Sequence, residues 1–154
     1  QITRIYREMT VFENMLSVSS LRVPEREARA MAEHLMEFVT LTNLRGEYGG
    51  NLSYGQQKLL EFARALMTDP DIILLDEPAA GMNPREKSDL NDLILAIRER
   101  GVTVLLIEHD MKVVMGISDR VIVLDYGLKI ADGSPDEVRA NQDVIDAYLG
   151  ISHD

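Results

Sequence analysis

The stretch Ile72-Ile-Leu-Leu-Asp-Glu-Pro78 decides how the rest of the 154-residue chain is interpreted. Its four apolar residues lie between Asp69-Pro70 and Glu77-Pro78, and this pattern predicts a short strand that is buried on both faces. Asp76 and Glu77 then come at the carboxyl end of the strand, where ligands bind in open α/β sheets. A polar turn that only closes the strand would explain the same residues, so a structural and a catalytic interpretation both stay open.

The segments on either side of this strand predict a βαβ unit. A helix is predicted from Ser53 to Met67, and Asp69-Pro70 ends it. After the strand, Asn83 is expected to cap a helix that continues to Gly101. Val102 to Ile107 predicts a second buried strand. Strand, helix and strand with short connections indicate a parallel sheet with a right-handed crossover.

Both ends of the chain are also predicted to be structured. Thr10 to Ser17 predicts a short helix, and Pro24 opens a longer one. The buried stripe of the longer helix is expected to be Ala28, Met31, Leu35 and either Phe38 or Val39. Towards the other end, the pattern predicts a hairpin and two short helices: strands at Val121 to Leu124 and Leu128 to Ala131, a helix capped by Ser134, and a last one at Val144 to Leu149.

Composition and charge exclude several classes of function. The chain carries 16 basic and 26 acidic residues, and its net charge of −10 argues against a general electrostatic grip on nucleic acid or anionic lipid. It contains no cysteine, which excludes disulfides, a thiolate nucleophile and cysteine-based metal sites. The longest apolar runs are far too short to cross a bilayer. The composition is that of an ordinary globular protein.

Asp76 and Glu77 are the residue types that phosphoryl transfer uses at such a position. One carboxylate helps to hold Mg²⁺, directly or through water, and a second can take a proton from the attacking water. Glu108-His109-Asp110 follows the second strand at the equivalent edge, so His109 is predicted to reach the same site and to hydrogen-bond a terminal phosphate. A lone histidine is more often only a loop residue, and that interpretation stays open.

The start of the helix after Ser53 has two compatible interpretations. Ser53 and Gln56 fit a capping box, which is a complete structural explanation. The same N-terminus, with a hydroxyl residue and Gly55, also presents backbone N–H groups that can bind an anion. Capping and phosphate contact can therefore use the same residues.

One expected part of a nucleotide site is absent from the sequence. The phosphate cradle has the pattern Gly-x-x-x-x-Gly-Lys-Ser/Thr, and the glycines at that spacing, Gly50 and Gly55, are followed by Gln56-Gln57 and not by lysine. The chain has no Gly-x-Gly-x-x-Gly either, so a dinucleotide site has no support.

In this order and at these separations, four motifs resemble those of the ATP-binding subunits of ABC transporters: Leu52-Ser-Tyr-Gly-Gln-Gln57, Ile72-Ile-Leu-Leu-Asp-Glu-Pro78, Ala80-Gly-Met-Asn83 and Ile107-Glu-His109. The resemblance implies a signature motif that contacts nucleotide through Ser53, Gly55 and Gln56. It implies that Asp76 is the Walker B carboxylate at the metal, that Glu77 is the catalytic base and that His109 is the switch histidine. Ala80 to Asn83 would form the D-loop, with Asn83 near the nucleotide, and Gln1 would be the Q-loop glutamine that senses Mg²⁺ and the membrane partner.

The resemblance covers the whole chain and implies an α/β fold of the P-loop NTPase type, as in ABC ATPases. A parallel sheet with a helical subdomain is expected, without the Walker A portion. Residues from about 10 to 50 would be the helical subdomain, and those from about 51 to 154 the signature helix, the Walker B and switch-histidine core, and the C-terminal hairpin and helices. The chain then looks like an N-terminally truncated subunit. Because a central strand would be missing, we expect apolar edges and a chain that is marginally stable or aggregates.

Within the family, the chain is most similar to branched-chain amino acid importers, notably in Asp76-Glu-Pro-Ala-Ala-Gly-Met-Asn-Pro84 and in the ending Val144-Ile-Asp-Ala-Tyr-Leu-Gly150. The implied function is an ATP-binding and ATP-hydrolysing subunit that energises amino acid uptake, with ATP and Mg²⁺ bound. The expected partners are a second ATP-binding subunit and transmembrane permease subunits, without nucleic acid or direct lipid insertion. The expected location is cytoplasmic, on the inner face of the plasma membrane.

Two other functions stay open. Without Walker A, the chain could act only as a non-catalytic interaction module, which offers its signature face to a complete partner. A soluble ABC-type ATPase of DNA repair or translation is disfavoured by the acidic net charge and by the importer-like ending.

Overall fold

The computed structural model describes residues 5–19 and 23–149, and the chain divides into two compact units. The first unit extends to Leu106 and the second starts at Ile107. Gln1, to which the resemblance assigns the Q-loop role, lies outside the described residues.

The first unit begins with helices and then alternates helix and strand. In order, its elements are α1 (Val11–Leu16), α2 (Glu25–Phe38), two single-turn 3₁₀ helices (Thr42–Leu44 and Gly49–Asn51), α3 (Tyr54–Leu66), β1 (Ile72–Asp76), α4 (Pro84–Glu99) and β2 (Thr103–Ile107). β1 and β2 pair in a two-stranded parallel sheet. Just before β1, the carbonyl oxygen of Asp71 accepts a hydrogen bond from the N–H of Thr103 at 2.9 Å. The predicted order of strand, helix and strand is therefore confirmed.

Each long helix buries one stripe, mostly at the positions that periodicity predicts. On α2 the prediction is confirmed for Ala28, Leu35 and Val39, but it is wrong for Met31, because Ala32 and Met36 face the core instead. On α3 the predicted face is Leu59, Phe62, Ala63 and Leu66, and the structure buries Leu60 more deeply than Leu59. Among the described residues, no helix is long and apolar enough to cross a membrane.

The predicted burial of both strands on two faces is wrong. Ile73 of β1 is buried, with 7% of its surface exposed, but its neighbour Leu74 is 68% exposed and Ile72 is exposed too. β2 alternates in the same way, with Leu105 exposed. Successive side chains of a strand point to opposite faces, so one face of each strand carries apolar side chains into solvent. We call Ile72, Leu74 and Leu105 the open sheet face.

The second unit is a hairpin packed against short helices. It contains α5 (Met111–Ile117), β3 (Val121–Asp125), β4 (Leu128–Gly133), α6 (Pro135–Arg139) and α7 (Gln142–Leu149). β3 and β4 pair antiparallel, which confirms the predicted hairpin, with Val123 opposite Ala131 and an irregularity before Leu124. Val121, Val123, Ala131, Val138 and Val144 form its core.

An ion-pair cluster joins β4 to Arg120, the residue directly before β3. The carboxylate of Asp132 on β4 accepts two hydrogen bonds from the guanidinium of Arg120, at 2.8 and 3.1 Å, and one from the Lys129 ammonium at 3.0 Å. These bonds, from Arg120 first and then from Lys129, lower the pKa of Asp132 to about 2. Because the folded-state pKa lies below the unfolded value, the cluster stabilises the fold above about pH 4. Its contribution is lost as the pH falls through about 2.

A carboxyl titration checks the cluster around Asp132. Followed by carbon-13 NMR, the Asp132 carboxyl is expected to titrate near pH 2. Arg120→Gln removes the larger contribution and should move the midpoint up towards the ordinary value of 3.8. A wild-type midpoint already near 3.8 would show that the three hydrogen bonds do not persist in solution.

The open sheet face leads to a second expectation. Leu74→Lys should change the free energy of unfolding by less than about 0.5 kcal/mol, since the side chain already lies in solvent. It should also reduce self-association, because an apolar patch is interrupted by a charge. The matched control is Ile73→Lys on the other face, which should cost more than about 2 kcal/mol because it buries a charge. Urea unfolding and sedimentation velocity measure both effects, and equal losses in the two variants would mean that the face is covered.

Candidate functional site

Asp76 and Glu77 lie where the chain leaves β1 and turns sharply. Asp76 is the last residue of the strand and is exposed, and Glu77 follows half-buried with a φ of +44°. Few residues other than glycine adopt this left-handed backbone, which costs roughly 1 kcal/mol or more. The carbonyl oxygen of Glu77 accepts a hydrogen bond from the N–H of Ala80 at 3.1 Å, so the chain reverses directly after the second carboxylate.

A second turn links this reversal to α4. The N–H of Met82 donates to the carbonyl oxygen of Ala79 at 3.2 Å, and Gly81 adopts a φ of +76°. Asn83 then caps α4, because its Oδ1 accepts hydrogen bonds from the N–H groups of Arg85 and Glu86, each at 3.0 Å. The Glu86 carboxylate accepts from the N–H of Asn83 at 3.0 Å. The predicted cap is confirmed, and it occupies the side-chain oxygen of Asn83 within the chain.

The predicted capping box at the start of α3 is also confirmed. Ser53 Oγ accepts a hydrogen bond from the N–H of Gln56 at 3.3 Å, and Gln56 Oε1 accepts from the N–H of Ser53 at 2.9 Å. Ser53 is exposed. Since its oxygen is the acceptor in the cap, the hydroxyl hydrogen can still be donated to another group. A cap and a contact with an anion are therefore compatible at this residue.

The first turn of α3 differs in charge from those of the three other helices that begin with a reciprocal capping box. The first turns of α1, α4 and α6 contain Glu13, Glu86 and the pair Asp136 and Glu137, whereas that of α3 contains no acidic residue. Gln56 makes at α3 the reciprocal bond that a glutamate makes at the other three. The neutral amide leaves the partial positive charge of the helix N-terminus without a carboxylate in its own first turn.

The starts of α3 and α4 approach each other closely. A Cβ added at Gly55 would lie 2.9 Å from Glu86 Oε1, so glycine is the residue that fits without moving the cap of α4. Beside this contact, a Cβ at Gly81 would lie 3.7 Å from a ring carbon of Tyr54. The structure therefore brings together the predicted signature motif and the predicted D-loop within one unit. The sequence predicts the cap at Asn83 but not the approach of Glu86 to Gly55.

His109 lies in the second unit, in the turn between β2 and α5. Its side chain is 76% exposed, whereas that of Glu108 is only 3% exposed. Glu108 Oε2 accepts hydrogen bonds from the N–H groups of His109 at 3.1 Å and Asp110 at 3.4 Å. It also lies 3.9 Å from His109 Nδ1. Glu108 thus fixes the turn that presents the imidazole, a role the sequence analysis did not assign.

Asp76 is the described residue best suited to a magnesium ion. Within residues 5–19 and 23–149, no three histidine, cysteine or acidic side chains cluster as a metal site. Mg²⁺ in nucleotide sites is commonly held by one or two carboxylates together with water and phosphate oxygens. An exposed carboxylate at the end of a strand, such as that of Asp76, is compatible with that donor set.

Comparison with known sequences gives two family matches. Residues 1–80 match the family described as ABC transporter, and residues 129–154 match the branched-chain amino acid ATP-binding cassette transporter family. The chain is 48% identical to the high-affinity branched-chain amino acid transport ATP-binding protein BraF of Pseudomonas aeruginosa. It is 44% identical to the corresponding protein LivG of Escherichia coli K12. Both alignments cover 97% of this chain, which spans 66% of the length of those relatives.

Solved structures of the same kind have the same fold. MJ1267, an ATP-binding cassette of an ABC transporter in its ADP conformation, superposes with a TM-score of 0.81 at 33% identity, over 94% of this chain and 64% of its own. CbiO1 of Clostridium perfringens, part of the ABC transporter complex cbiONQ, gives a TM-score of 0.83 at 25% identity, over 96% and 59%. These likenesses confirm the expected α/β fold of the P-loop NTPase type. With its family match over residues 1–80, the chain belongs to the ABC transporter family of ATP-binding proteins.

Proposed function

We propose that this chain is part of an ATP-binding and ATP-hydrolysing subunit of an ABC importer that energises the uptake of branched-chain amino acids. The observation that carries the proposal is the carboxylate pair at the end of β1, with Glu77 turned by its left-handed backbone in the same unit as the exposed start of α3. BraF and LivG, which are high-affinity branched-chain amino acid transport ATP-binding proteins, support the transporter class and the solute class.

In the proposed reaction, Glu77 acts as the general base. Its carboxylate takes a proton from water as the water oxygen attacks the γ-phosphorus of ATP. The bond from that phosphorus to the bridging oxygen breaks, and its electron pair leaves with ADP. A positioned base typically contributes a factor of about 10² to 10⁴ to such a step. His109, held by the turn at Glu108, donates a hydrogen bond to an oxygen of the terminal phosphate.

The start of α3 stabilises the charge that develops on the transferring phosphoryl group. The Ser53 hydroxyl and the backbone N–H groups near Gly55 and Gln56 are the donors, in an N-terminus whose first turn carries no acidic residue. By the family resemblance, these donors act on nucleotide held by a second ATP-binding subunit. Asn83, in the D-loop, would lie near that nucleotide.

Asp76, with Gln1, would hold Mg²⁺ at this site. The bound ion would neutralise charge on the phosphate oxygens. Residues from about 10 to 50 would form the helical subdomain that contacts transmembrane permease subunits, and those from about 51 to 154 the catalytic core and the C-terminal elements. A subunit that contacts permease subunits in this way would lie on the cytoplasmic face of the plasma membrane.

Replacing the proposed base tests the catalytic role. In the full-length gene product, Glu77→Gln should lower kcat for ATP hydrolysis by at least about 100-fold, because the amide cannot accept the proton. The dissociation constant for MgATP should stay within about threefold, because the loss falls on the chemical step. Phosphate release and titration with a fluorescent ATP analogue measure the two quantities.

The matched control is Asp92→Asn, which neutralises an exposed carboxylate on α4 and should keep the wild-type kcat. Equal losses in the two variants would contradict the assignment of Glu77. The same assays on the 154-residue chain, with and without an added upstream phosphate-loop segment, separate catalysis from an interaction role. Binding to partner subunits without turnover in either form would favour the interaction module.

Gln56→Glu tests the neutral first turn of α3. The cap should survive, because glutamate makes the same bond at α1, α4 and α6, and the free energy of unfolding should change by less than about 0.5 kcal/mol. The new carboxylate repels phosphate, so kcat should fall by about tenfold or more. Raising the salt concentration should reduce the loss by screening the repulsion. An unchanged kcat with the cap intact would exclude α3 from the nucleotide site.

A further inference from the structure

Asn14 is a polar side chain that lies entirely inside the first unit. It is 0% exposed, on the second turn of the six-residue helix α1. Its Oδ1 accepts a hydrogen bond from the N–H of Tyr6 at 2.8 Å. Its Nδ2 lies 2.8 Å from the carbonyl oxygen of Tyr6, 3.2 Å from that of Met9 and 3.0 Å from that of Thr10. One amide therefore holds both ends of the turn from Tyr6 to Thr10.

This turn is paired along its length with a second segment, Glu47 to Gly50. The N–H groups of Gly49 and Gly50 donate to the carbonyl oxygens of Met9 and Arg7, each at 2.9 Å, and the N–H of Val11 donates to that of Glu47 at 2.9 Å. Thr10 and Tyr48 form an antiparallel bridge between the segments. These hydrogen bonds hold the turn and Glu47 to Gly50 against each other.

The contact between the two segments is too close for a side chain at Gly49. A Cβ there would lie 2.9 Å from the carbonyl oxygen of Tyr6 and 3.4 Å from Asn14 Nδ2. Gly46, three residues earlier, has nothing within 4 Å of an added Cβ. The close approach therefore involves Gly49 and also Gly50, where an added Cβ would lie 3.2 Å from the carbonyl oxygen of Arg7, but not Gly46.

Glu47 to Gly50 leads directly into the start of α3. Gly49–Asn51 forms a 3₁₀ helix, Leu52 is buried, and Ser53 caps α3. Only Asn51 and Leu52 separate Gly50 from Ser53, so the connection between the two is short.

We infer that Asn14 is a positioning residue for the start of α3: by tying the turn from Tyr6 to Thr10 against Glu47 to Gly50, it fixes the place of Ser53 and Gly55. The role rests on the proposed function, in which α3 faces nucleotide. An amide suits the position because it supplies a donor and an acceptor together. An apolar side chain would remove the acceptor of the Tyr6 N–H and one of the donors to the carbonyl oxygens of Tyr6, Met9 and Thr10.

The test combines amide exchange with kinetics on the full-length gene product. Asn14→Ala should speed hydrogen exchange at Gly49 and Gly50 by at least about tenfold relative to Met36→Ala, a truncation of a fully buried side chain of α2. It should lower kcat for ATP by at least about tenfold and leave KM within about twofold, because displaced donors act on the chemical step. Met36→Ala is expected to keep kcat for the folded fraction.

A second variant approaches the same contact from the other side and keeps the test decisive if Asn14→Ala does not fold. Gly49→Ala should reproduce the loss of kcat with KM nearly unchanged, since its methyl group pushes against the carbonyl oxygen of Tyr6. Gly46→Ala is its matched control and should behave as wild type.

The outcomes distinguish this inference from the proposed function. Absence of ATP turnover in the wild type would overturn the proposed function and, with it, the positioning role. Wild-type turnover with equal kcat values in Asn14→Ala and Met36→Ala, or in Gly49→Ala and Gly46→Ala, would overturn the positioning role alone. A fall in kcat that accompanies the faster exchange at Gly49 and Gly50 would support it.

Discussion

The reciprocal cap at a helix N-terminus is the interaction on which the arrangement of this chain depends. The first N–H groups of a helix have no partner inside it, so something else must accept their hydrogen bonds. Among the described helices, α1, α3, α4 and α6 solve this with the same exchange between an N-cap side chain and the side chain three residues on: Thr10 and Glu13, Ser53 and Gln56, Asn83 and Glu86, Ser134 and Glu137. The caps fix where each helix starts and therefore where the loops before them end.

Two of these helix starts, those of α3 and α4, belong to the proposed nucleotide site of the first unit. Gly55 lies against the carboxylate that caps α4, so the positions of the signature helix and of the D-loop depend on each other. The Asn14 side chain also bonds to backbone groups, but away from a helix start. Its amide pairs with the N–H and the carbonyl oxygen of Tyr6, which belong to no helix or strand. Local hydrogen bonds thus hold the loops before α3 and α4, together with the buried side chains of Leu52, Ala79 and Met82.

The sequence predicts features that depend on neighbouring residues better than features that depend on distant ones. Caps at Ser53, Asn83 and Ser134 are confirmed because both partners lie within one turn. The prediction that Ile72 and Leu74 are buried is wrong. Their exposure depends on what packs against the strand and not on the sequence of the strand itself. The hydrogen bonds of Asn14 to residues up to eight positions away have no signature in the sequence. The same limit hides the close approach of Glu86 to Gly55.

At position 77 the left-handed backbone favours glycine, whereas the proposed reaction needs the carboxylate of glutamate. Glycine at this position would relieve about 1 kcal/mol of conformational strain, and it would also delete the carboxylate. With Glu77 as the proposed base, selection for thermal resistance alone would favour a chain that folds better and no longer hydrolyses ATP. A glutamate that persists here under such selection marks a position where activity, and not folding, decides which residue is kept.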